Sequence, residues 1–112
     1  MSQIFLSYRH ADSFDVVGRI CDRLNAAFGA GVCFQDIGKI PPGAVIRDYI
    51  AEQVTRHRVV IAVIGPEWLT LKTDDGGRKL DDPHDAVRIE LESAFAARER
   101  GVTVVPLYVR GA

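Results

Sequence analysis

The run Arg58–Gly65 constrains the fold more than any other part of this sequence. It reads Arg-Val-Val-Ile-Ala-Val-Ile-Gly and is β-branched and apolar without alternation. A strand with one face in water would carry a polar residue at every second position, so this strand needs cover on both faces. The apolar part, Val59 to Ile64, is too short to cross a bilayer. It therefore predicts a central parallel strand with helices on each side of its sheet.

Segments of strand and helix character alternate along the whole chain. The predicted strands are Gln3–Tyr8, Val32–Phe34, Arg58–Gly65 and Val102–Val109, and the predicted helices are Asp12–Phe28, Ala44–Thr55 and Pro83–Arg100. Such alternation produces a parallel sheet with right-handed crossovers. We therefore predict a flavodoxin-like α/β fold with helices on both faces, in one domain, because 112 residues leave no room for two.

Apolar residues at steps of three and four give each predicted helix a face toward the core. These stripes are Phe14, Val17, Cys21, Leu24 and Phe28; Val45, Ile46, Tyr49, Ile50 and Val54; and Val87, Leu91, Ala94 and Phe95. We expect Asp12 to cap the first helix, with Gly29 ending it, and Asp82 to cap the third. Glu90 then lies at the edge of the third stripe, and Ile89 faces outward.

Composition and charge exclude several classes of partner. Fourteen basic against 15 acidic residues give a net charge of −1, which offers no long-range attraction to nucleic acid or an anionic membrane. Cys21 and Cys33 lie in apolar stretches without metal-ligand spacing, so we expect two reduced core thiols and no metal. The N-terminus has no basic segment followed by a long apolar run, and we predict a cytoplasmic location.

The ligand crevice of a parallel sheet lies beyond the carboxyl ends of its strands. Here those ends are Ser7–Arg9, Gln35–Gly43, Gly65–Trp68 and the residues after Leu107, where glycine, proline, hydroxyl and charged groups concentrate.

The sequence stops three residues after the last predicted strand, at Arg110-Gly111-Ala112. That strand would form an unprotected edge, so we expect residues 1–112 to be the N-terminal part of a longer protein.

Three motifs in order resemble the TIR (Toll/interleukin receptor) domain family, especially its bacterial members. Ile4–Asp12 (Ile-Phe-Leu-Ser-Tyr-Arg-His-Ala-Asp) resembles the family's opening box, and Phe34–Gly43 is similar to its second strand and BB loop. Asp85–Leu91 looks like the helix that carries the family's catalytic glutamate. The resemblance spans almost the whole chain and implies a TIR fold cut short after its fourth strand, because the family normally adds a helix and a fifth strand.

The resemblance implies an NAD⁺ nucleosidase that needs no cofactor, because NAD⁺ is its substrate. Glu90 would be the catalytic residue, stabilising positive charge on the ribose as nicotinamide leaves and ADP-ribose or a cyclic form results. Taken from the pattern alone, Glu90 is a helix-boundary glutamate with its carboxylate in water. The tryptophan that commonly precedes this glutamate in the family is replaced by Ala86.

Five residues are candidates for binding NAD⁺, and for three of them a purely structural role is an alternative interpretation. Ser7 and Asp36 are placed at the site by the resemblance. Arg9 would bind the pyrophosphate, or else be a surface arginine or a partner of Asp36. Tyr8 would stack on or hydrogen-bond to the substrate, or else lie in the core. Trp68 would stack on nicotinamide or adenine, or else cover the core.

The loop after the second strand is a candidate self-assembly surface. It contains Ile37, Ile40, Pro41, Pro42 and Gly43. Exposed isoleucines on a loop are better explained by a partner surface than by burial. The predicted outward position of Ile89 supports the same interpretation. The resemblance implies head-to-tail contacts between TIR domains, with the active site completed on assembly into an oligomer or filament.

The resemblance also implies a setting, and it leaves an alternative function open. The setting is innate immunity and signal transduction, with the domain acting as the effector of a bacterial antiphage defence protein that has a sensor or oligomerisation domain downstream. The alternative is a non-catalytic TIR adaptor that acts only through TIR–TIR contacts. A nucleoside deoxyribosyltransferase-like enzyme is disfavoured by the Ser7-Tyr8-Arg9 start. A phospho-receiver domain is excluded because its acceptor aspartate is missing from Ile64-Gly65-Pro66.

Overall fold

The structure is a computed structural model that describes residues 3–35 and 42–111. Four parallel strands form one sheet in the order β2-β1-β3-β4. They are β1 (Ile4–Ser7), β2 (Cys33–Phe34), β3 (Val59–Ile64) and β4 (Thr103–Tyr108). The predicted α/β class and the inner position of the apolar strand are confirmed, since β3 lies between β1 and β4.

Three α-helices connect the strands. They are α1 (His10–Phe28), α2 (Ile46–Thr55) and α3 (Ala86–Ala96). Gly29 ends α1 at a φ of 120°, as predicted. α3 is shorter than expected at both ends, because the carboxylate of Asp85, and not Asp82, accepts a hydrogen bond from the Arg88 backbone N–H in its first turn. At the other end it passes into a 3-10 turn.

The two faces of the sheet carry separate cores, because successive strand residues point to opposite sides. On one side α1 packs against the sheet through Leu6, Val17, Cys21 and Val63. On the other side α2 and α3 pack against it through Phe5, Ile50, Val54, Val60, Ile89, Ala94, Ala97 and Val102. Helices therefore cover both faces, as the apolar β3 requires.

The ends of α1 and α2 do not follow their predicted apolar stripes. Phe14 and Phe28 are 56% and 70% exposed, because the buried face of α1 runs through Ser13, Val17 and Cys21 beside Phe14, and Phe28 is the last residue of the helix. Phe14 instead stacks on the ring of His10. Val45 and Ile46 are 62% and 55% exposed, since α2 begins only at Ile46 and packs through its later turns.

The predicted orientation of α3 is wrong at two positions. Ile89 is 2% exposed and belongs to the core, whereas Phe95 is 49% exposed. The helix packs against α2 as well as against the sheet, so it buries two faces, and Ile89 occupies the second with Ile50 and Val54. Ile89 therefore gives no support to an assembly surface.

β4 is an edge strand of the sheet that the structure describes. Its side chains Val105, Leu107 and Tyr108 are 41%, 36% and 64% exposed. Arg110, just beyond the strand, pairs with Asp15 of α1 at 3.0 Å. Among the helices that the structure describes, none combines the length and apolar character needed to cross a membrane.

His57 is a buried imidazole beside two aromatic rings. It is 5% exposed, and its ring centroid lies 5.4 Å from those of Phe5 and Phe34. Nδ1 donates a hydrogen bond of 2.8 Å to the Gln53 carbonyl. Burial lowers the pKa of His57 from its ordinary 6.5, with a further lowering by the cation of Arg56 and an opposing effect of the Gln53 carbonyl.

The domain is therefore expected to lose stability as the pH falls below about 6.5. The unfolded chain takes up this proton before the folded one does, so the free energy of unfolding falls until the pH reaches the lowered folded pKa. One proton limits the slope to about 1.4 kcal/mol per pH unit. Urea denaturation across this pH range should show a shallower slope for His57→Leu, but not for His84→Gln, whose side chain is 93% exposed. Equal slopes for His57→Leu and the unmodified protein would contradict this.

Candidate functional site

The carboxyl ends of β1 and β3 meet the first turns of α3 at one edge of the sheet. Ser7 closes β1 and Arg9 follows it, while the turn from Gly65 to Trp68 follows β3. α3 brings Glu90 to the same edge. Four of the predicted residues thus lie at this rim, in two sets of hydrogen bonds: Ser7 with Glu90, and Arg9 with Asp85 and the Trp68 carbonyl.

The carboxylate of Glu90 is withdrawn from water at this edge. Glu90 is 9% exposed and Ser7 is fully buried. Ser7 Oγ donates a hydrogen bond of 2.7 Å to Glu90 Oε1. The reading of Glu90 as a solvated boundary residue is therefore wrong. A carboxylate moved out of water needs such donors, because a buried charge without partners is strongly destabilising.

Arg9 is buried and holds two other segments of the rim. Its Nη1 and Nη2 donate to Asp85 Oδ1 and Oδ2 at 3.0 and 2.8 Å, and its Nε donates to the Trp68 carbonyl at 2.9 Å. Arg9 is 5% exposed, so the interpretation of Arg9 as a surface arginine is wrong. Its carboxylate partner is Asp85, while Asp36 lies outside the described residues. The guanidinium would have to leave Asp85 to grip a pyrophosphate with the same two nitrogens.

Trp68 lies against the guanidinium of Arg9. Arg9 Cζ is 5.7 Å from the centroid of the indole ring, a cation–π distance. The side chain is half-buried, and its buried Nε1 has no hydrogen-bond partner among the residues that the structure describes. One face of the indole is covered by arginine, so stacking on a substrate ring is confined to the other face.

Tyr8 points to the opposite side of the sheet from Ser7 and Arg9. It packs against the α1-side cluster that contains Leu6, as the alternation of side chains along an extended chain requires. This position agrees with the alternative interpretation, in which Tyr8 lies in the core. The structure does not bring its side chain to the face of the sheet that carries Glu90.

Asp12 organises the turn after β3, a role that the sequence pattern did not reveal. It is 4% exposed, and its Oδ2 and Oδ1 accept hydrogen bonds from the backbone N–H groups of Gly65 and Glu67, each at 2.8 Å. The predicted capping role is wrong, because α1 begins at His10 with Arg9 in the cap position. The only sequence signal was a glycine at the end of the central strand, where a close approach excludes a Cβ.

The predicted assembly loop falls mostly outside the described residues, which omit Asp36, Ile37, Ile40 and Pro41. Pro42 and Gly43 form an exposed turn before α2, with Gly43 at a φ of 81°. Ala86 is exposed at the first position of α3. Within residues 3–35 and 42–111, no three His, Cys, Asp or Glu side chains are grouped closely enough to hold a metal ion.

Comparison with solved structures finds the same fold. The chain is similar to the TIR domains in the structure of the activated Roq1 resistosome directly recognizing the pathogen effector XopQ, with 18% identity and a TM-score of 0.65 over 96% of this chain and 57% of that one. It is also similar to the TIR domain of the Toll-related receptor TRR-2 from Hydra magnipapillata, with 14% identity and a TM-score of 0.64. That match covers 100% of this chain and 74% of the receptor domain's chain.

Sequence comparison assigns the family. A search among curated proteins finds no match, but the family model described as "TIR domain" matches residues 4–112. This match covers almost the entire chain and includes each of the three motifs noted in the sequence. The chain therefore belongs to the TIR domain family.

Proposed function

We propose that this TIR domain cleaves NAD⁺ with Glu90 as its catalytic residue. The observation that carries the proposal is the buried Glu90 carboxylate, held by Ser7 Oγ at 2.7 Å. It lies at the carboxyl edge of a parallel sheet, the edge where such folds bind ligands. The sequence resemblance independently selects the same glutamate.

The chemistry suits a single carboxylate. The bond between the ribose C1′ and the nicotinamide nitrogen breaks, and its electron pair leaves with nicotinamide. This leaving group is already cationic in NAD⁺, so no acid has to protonate it. Positive charge develops on the ribose, and a carboxylate held in place outside bulk water stabilises it. Water then adds to C1′ and releases a proton, which gives ADP-ribose; attack by the adenine ring would give the cyclic form.

The substrate-binding roles of Ser7, Arg9, Asp36 and Trp68 belong to the same proposal, whereas Tyr8 packs on the other side of the sheet. The geometry supports an indirect role for Ser7, through its hydrogen bond to Glu90. Arg9 lies over the Trp68 ring, so stacking by Trp68 on a substrate ring would use the other face of the indole. The contact between Arg9 and Asp85 favours a structural role for Arg9 over a grip on pyrophosphate.

We further propose that assembly through the loop at residues 37–43 activates the domain. Val45 and Ile46, which follow this loop, are 62% and 55% exposed. Exposed apolar side chains favour a contact with a partner, and Ile37 and Ile40 add to the apolar residues in this stretch of the sequence. The proposed setting, an antiphage effector with a downstream sensor, has the resemblance as its only support.

Nicotinamide release per molecule is expected to rise with protein concentration, and Ile40→Asp is expected to abolish that rise. An aspartate in an apolar contact is desolvated without a partner, which costs several kcal/mol and disrupts a modest interface. Light scattering and nicotinamide release should be measured in the same samples. Phe28→Asp is the matched control, because Phe28 is 70% exposed at the far end of α1.

Three outcomes separate the possibilities. Activity per molecule that stays flat over a wide dilution series would show that each site is complete within one chain. An Ile40→Asp protein that still assembles would show that the loop is not the contact. Assembly without nicotinamide release at any concentration would favour the second candidate, a non-catalytic TIR–TIR adaptor, to which the exposed Val45 and Ile46 are equally suited.

A further inference from the structure

We infer that Asp85 is a positioning residue for Glu90, acting through its ion pair with Arg9. The pair fastens the first turn of α3 to the end of β1 and so sets where the Glu90 carboxylate lies. The catalytic part of this inference rests on the proposed NAD⁺ cleavage, whereas its structural part does not.

Side chains at the end of β1 contact the N-terminal part of α3. Ser7 and Arg9 lie two residues apart on one side of the extended chain, and they bind Glu90 and Asp85 respectively. The two acidic residues are five positions apart on α3, which is about 7.5 Å along a helix axis. Packing against α2 and the sheet holds the body of α3 through Ile89 and Ala94, and the ion pair of Asp85 adds a polar contact that holds the first turn.

The Arg9–Asp85 contact has the geometry and burial to hold a helix. The two terminal guanidinium nitrogens of Arg9 each donate to one carboxylate oxygen of Asp85, at 3.0 and 2.8 Å, and the side chains are only 4% and 10% exposed. Asp85 Oδ2 also accepts the Arg88 N–H at 3.2 Å. One carboxylate thus caps α3 and anchors it, which leaves Asp85 poorly suited to act as a second catalytic acid.

The arginine end of the pair is fixed as well. Arg9 Nε donates to the Trp68 carbonyl at 2.9 Å, and the turn that contains Trp68 is held by Asp12 through the Glu67 N–H. Movement of Arg9 toward α3 is therefore opposed by the β3 turn. By contrast, the nearby Arg78–Asp81 pair is 45% and 62% exposed, and pairs of that kind contribute little to stability.

Asp85→Ser tests the inference, because serine keeps an acceptor for the Arg88 N–H but removes the pair with Arg9. We expect kcat for NAD⁺ cleavage to fall about 10- to 100-fold, since a misplacement of about 1 Å can cost a factor of this size. KM should change less than about twofold, because no group that contacts substrate is removed. Asp81→Ser, in the exposed pair, is the matched control and should leave both constants unchanged.

Two further variants guard against misfolding. Asp85→Ser leaves a buried arginine without its counterion, which can unfold a domain. The double variant Arg9→Met with Asp85→Ser leaves no such charge. It should fold and show the same kcat loss as Asp85→Ser, because residues that act as a unit are not additive. Arg9→Lys keeps the charge but not the two-pronged contact, and it should retain an intermediate kcat.

A readout without turnover separates this inference from the proposed function. In crystal structures of Asp85→Ser or the double variant, the distance from Ser7 Oγ to Glu90 should increase beyond 3.5 Å, while Asp81→Ser should keep the 2.7 Å contact. An unchanged distance would overturn the inference even if the protein never cleaves NAD⁺. So would a kcat of Asp85→Ser equal to that of Asp81→Ser, or an effect on KM alone.

Discussion

Replacement of Glu90 by glutamine is expected to lower NAD⁺ cleavage by at least about 100-fold, the scale on which removal of one electrostatic group acts. Glutamine has the same shape, and its carbonyl oxygen can accept the hydrogen bond that Ser7 Oγ makes at 2.7 Å. What it lacks is the negative charge that would stabilise the developing cation on the ribose. Nicotinamide release, assayed under conditions that favour assembly, measures the loss.

Glu92→Gln is the matched control on the same helix. Its carboxyl group is 47% exposed and faces Arg47 and Arg88 on the surface, so the same chemical change should leave activity within about twofold. Thermal melting of both variants should stay close to that of the unmodified protein. A folded Glu90→Gln protein that cleaves NAD⁺ at the original rate would remove Glu90 from the mechanism.

Gly65→Ala is expected to destabilise the domain by about 2–4 kcal/mol, the range for overpacking combined with broken buried hydrogen bonds. A Cβ at Gly65 would lie 2.3 Å from Asp12 Oδ2 and 2.6 Å from both Oδ1 and Cγ. The carboxylate cannot retreat without giving up the N–H groups of Gly65 and Glu67, each held at 2.8 Å. A small domain should then melt at least about 10 °C lower.

Gly18→Ala serves as the opposite case. Gly18 lies inside α1, and a Cβ there meets nothing within 4 Å. Alanine should stabilise that helix by up to about 1 kcal/mol. The two substitutions add the same methyl group, so their opposite signs would isolate the contact with Asp12. Equal melting temperatures for Gly65→Ala and the unmodified protein would show that Asp12 moves aside without loss.

The sheet was predictable because its signals are local. The two-sided apolar run at β3 and the alternation of elements are enough to predict parallel strands, covered faces and a ligand edge. The family motifs then singled out Glu90, whose own surroundings looked like ordinary helix surface. Its partner Ser7 lies 83 residues away in sequence, and the contact follows only from the fold that the motifs imply.

The errors came where a local pattern has more than one spatial solution. A helical stripe has a single direction only if the helix buries one face, and α3 buries two, so Ile89 and Phe95 were exchanged between core and surface. An aspartate near a helix start satisfies a capping pattern whether or not it caps. Asp12 instead binds backbone 53 and 55 residues away, a pairing that no short-range rule contains.

The chain contains a single tryptophan, and the Arg9 guanidinium lies over its ring, 5.7 Å from Cζ to the centroid. Intrinsic fluorescence of this protein is thus an optical probe of the rim, while far-ultraviolet circular dichroism follows the sheet and helices. Local opening of a site costs less free energy than global unfolding. If the denaturation curves from fluorescence and from circular dichroism coincide, the rim unfolds together with the domain. If the fluorescence changes at a lower denaturant concentration than the circular dichroism, the rim is a separate and less stable unit.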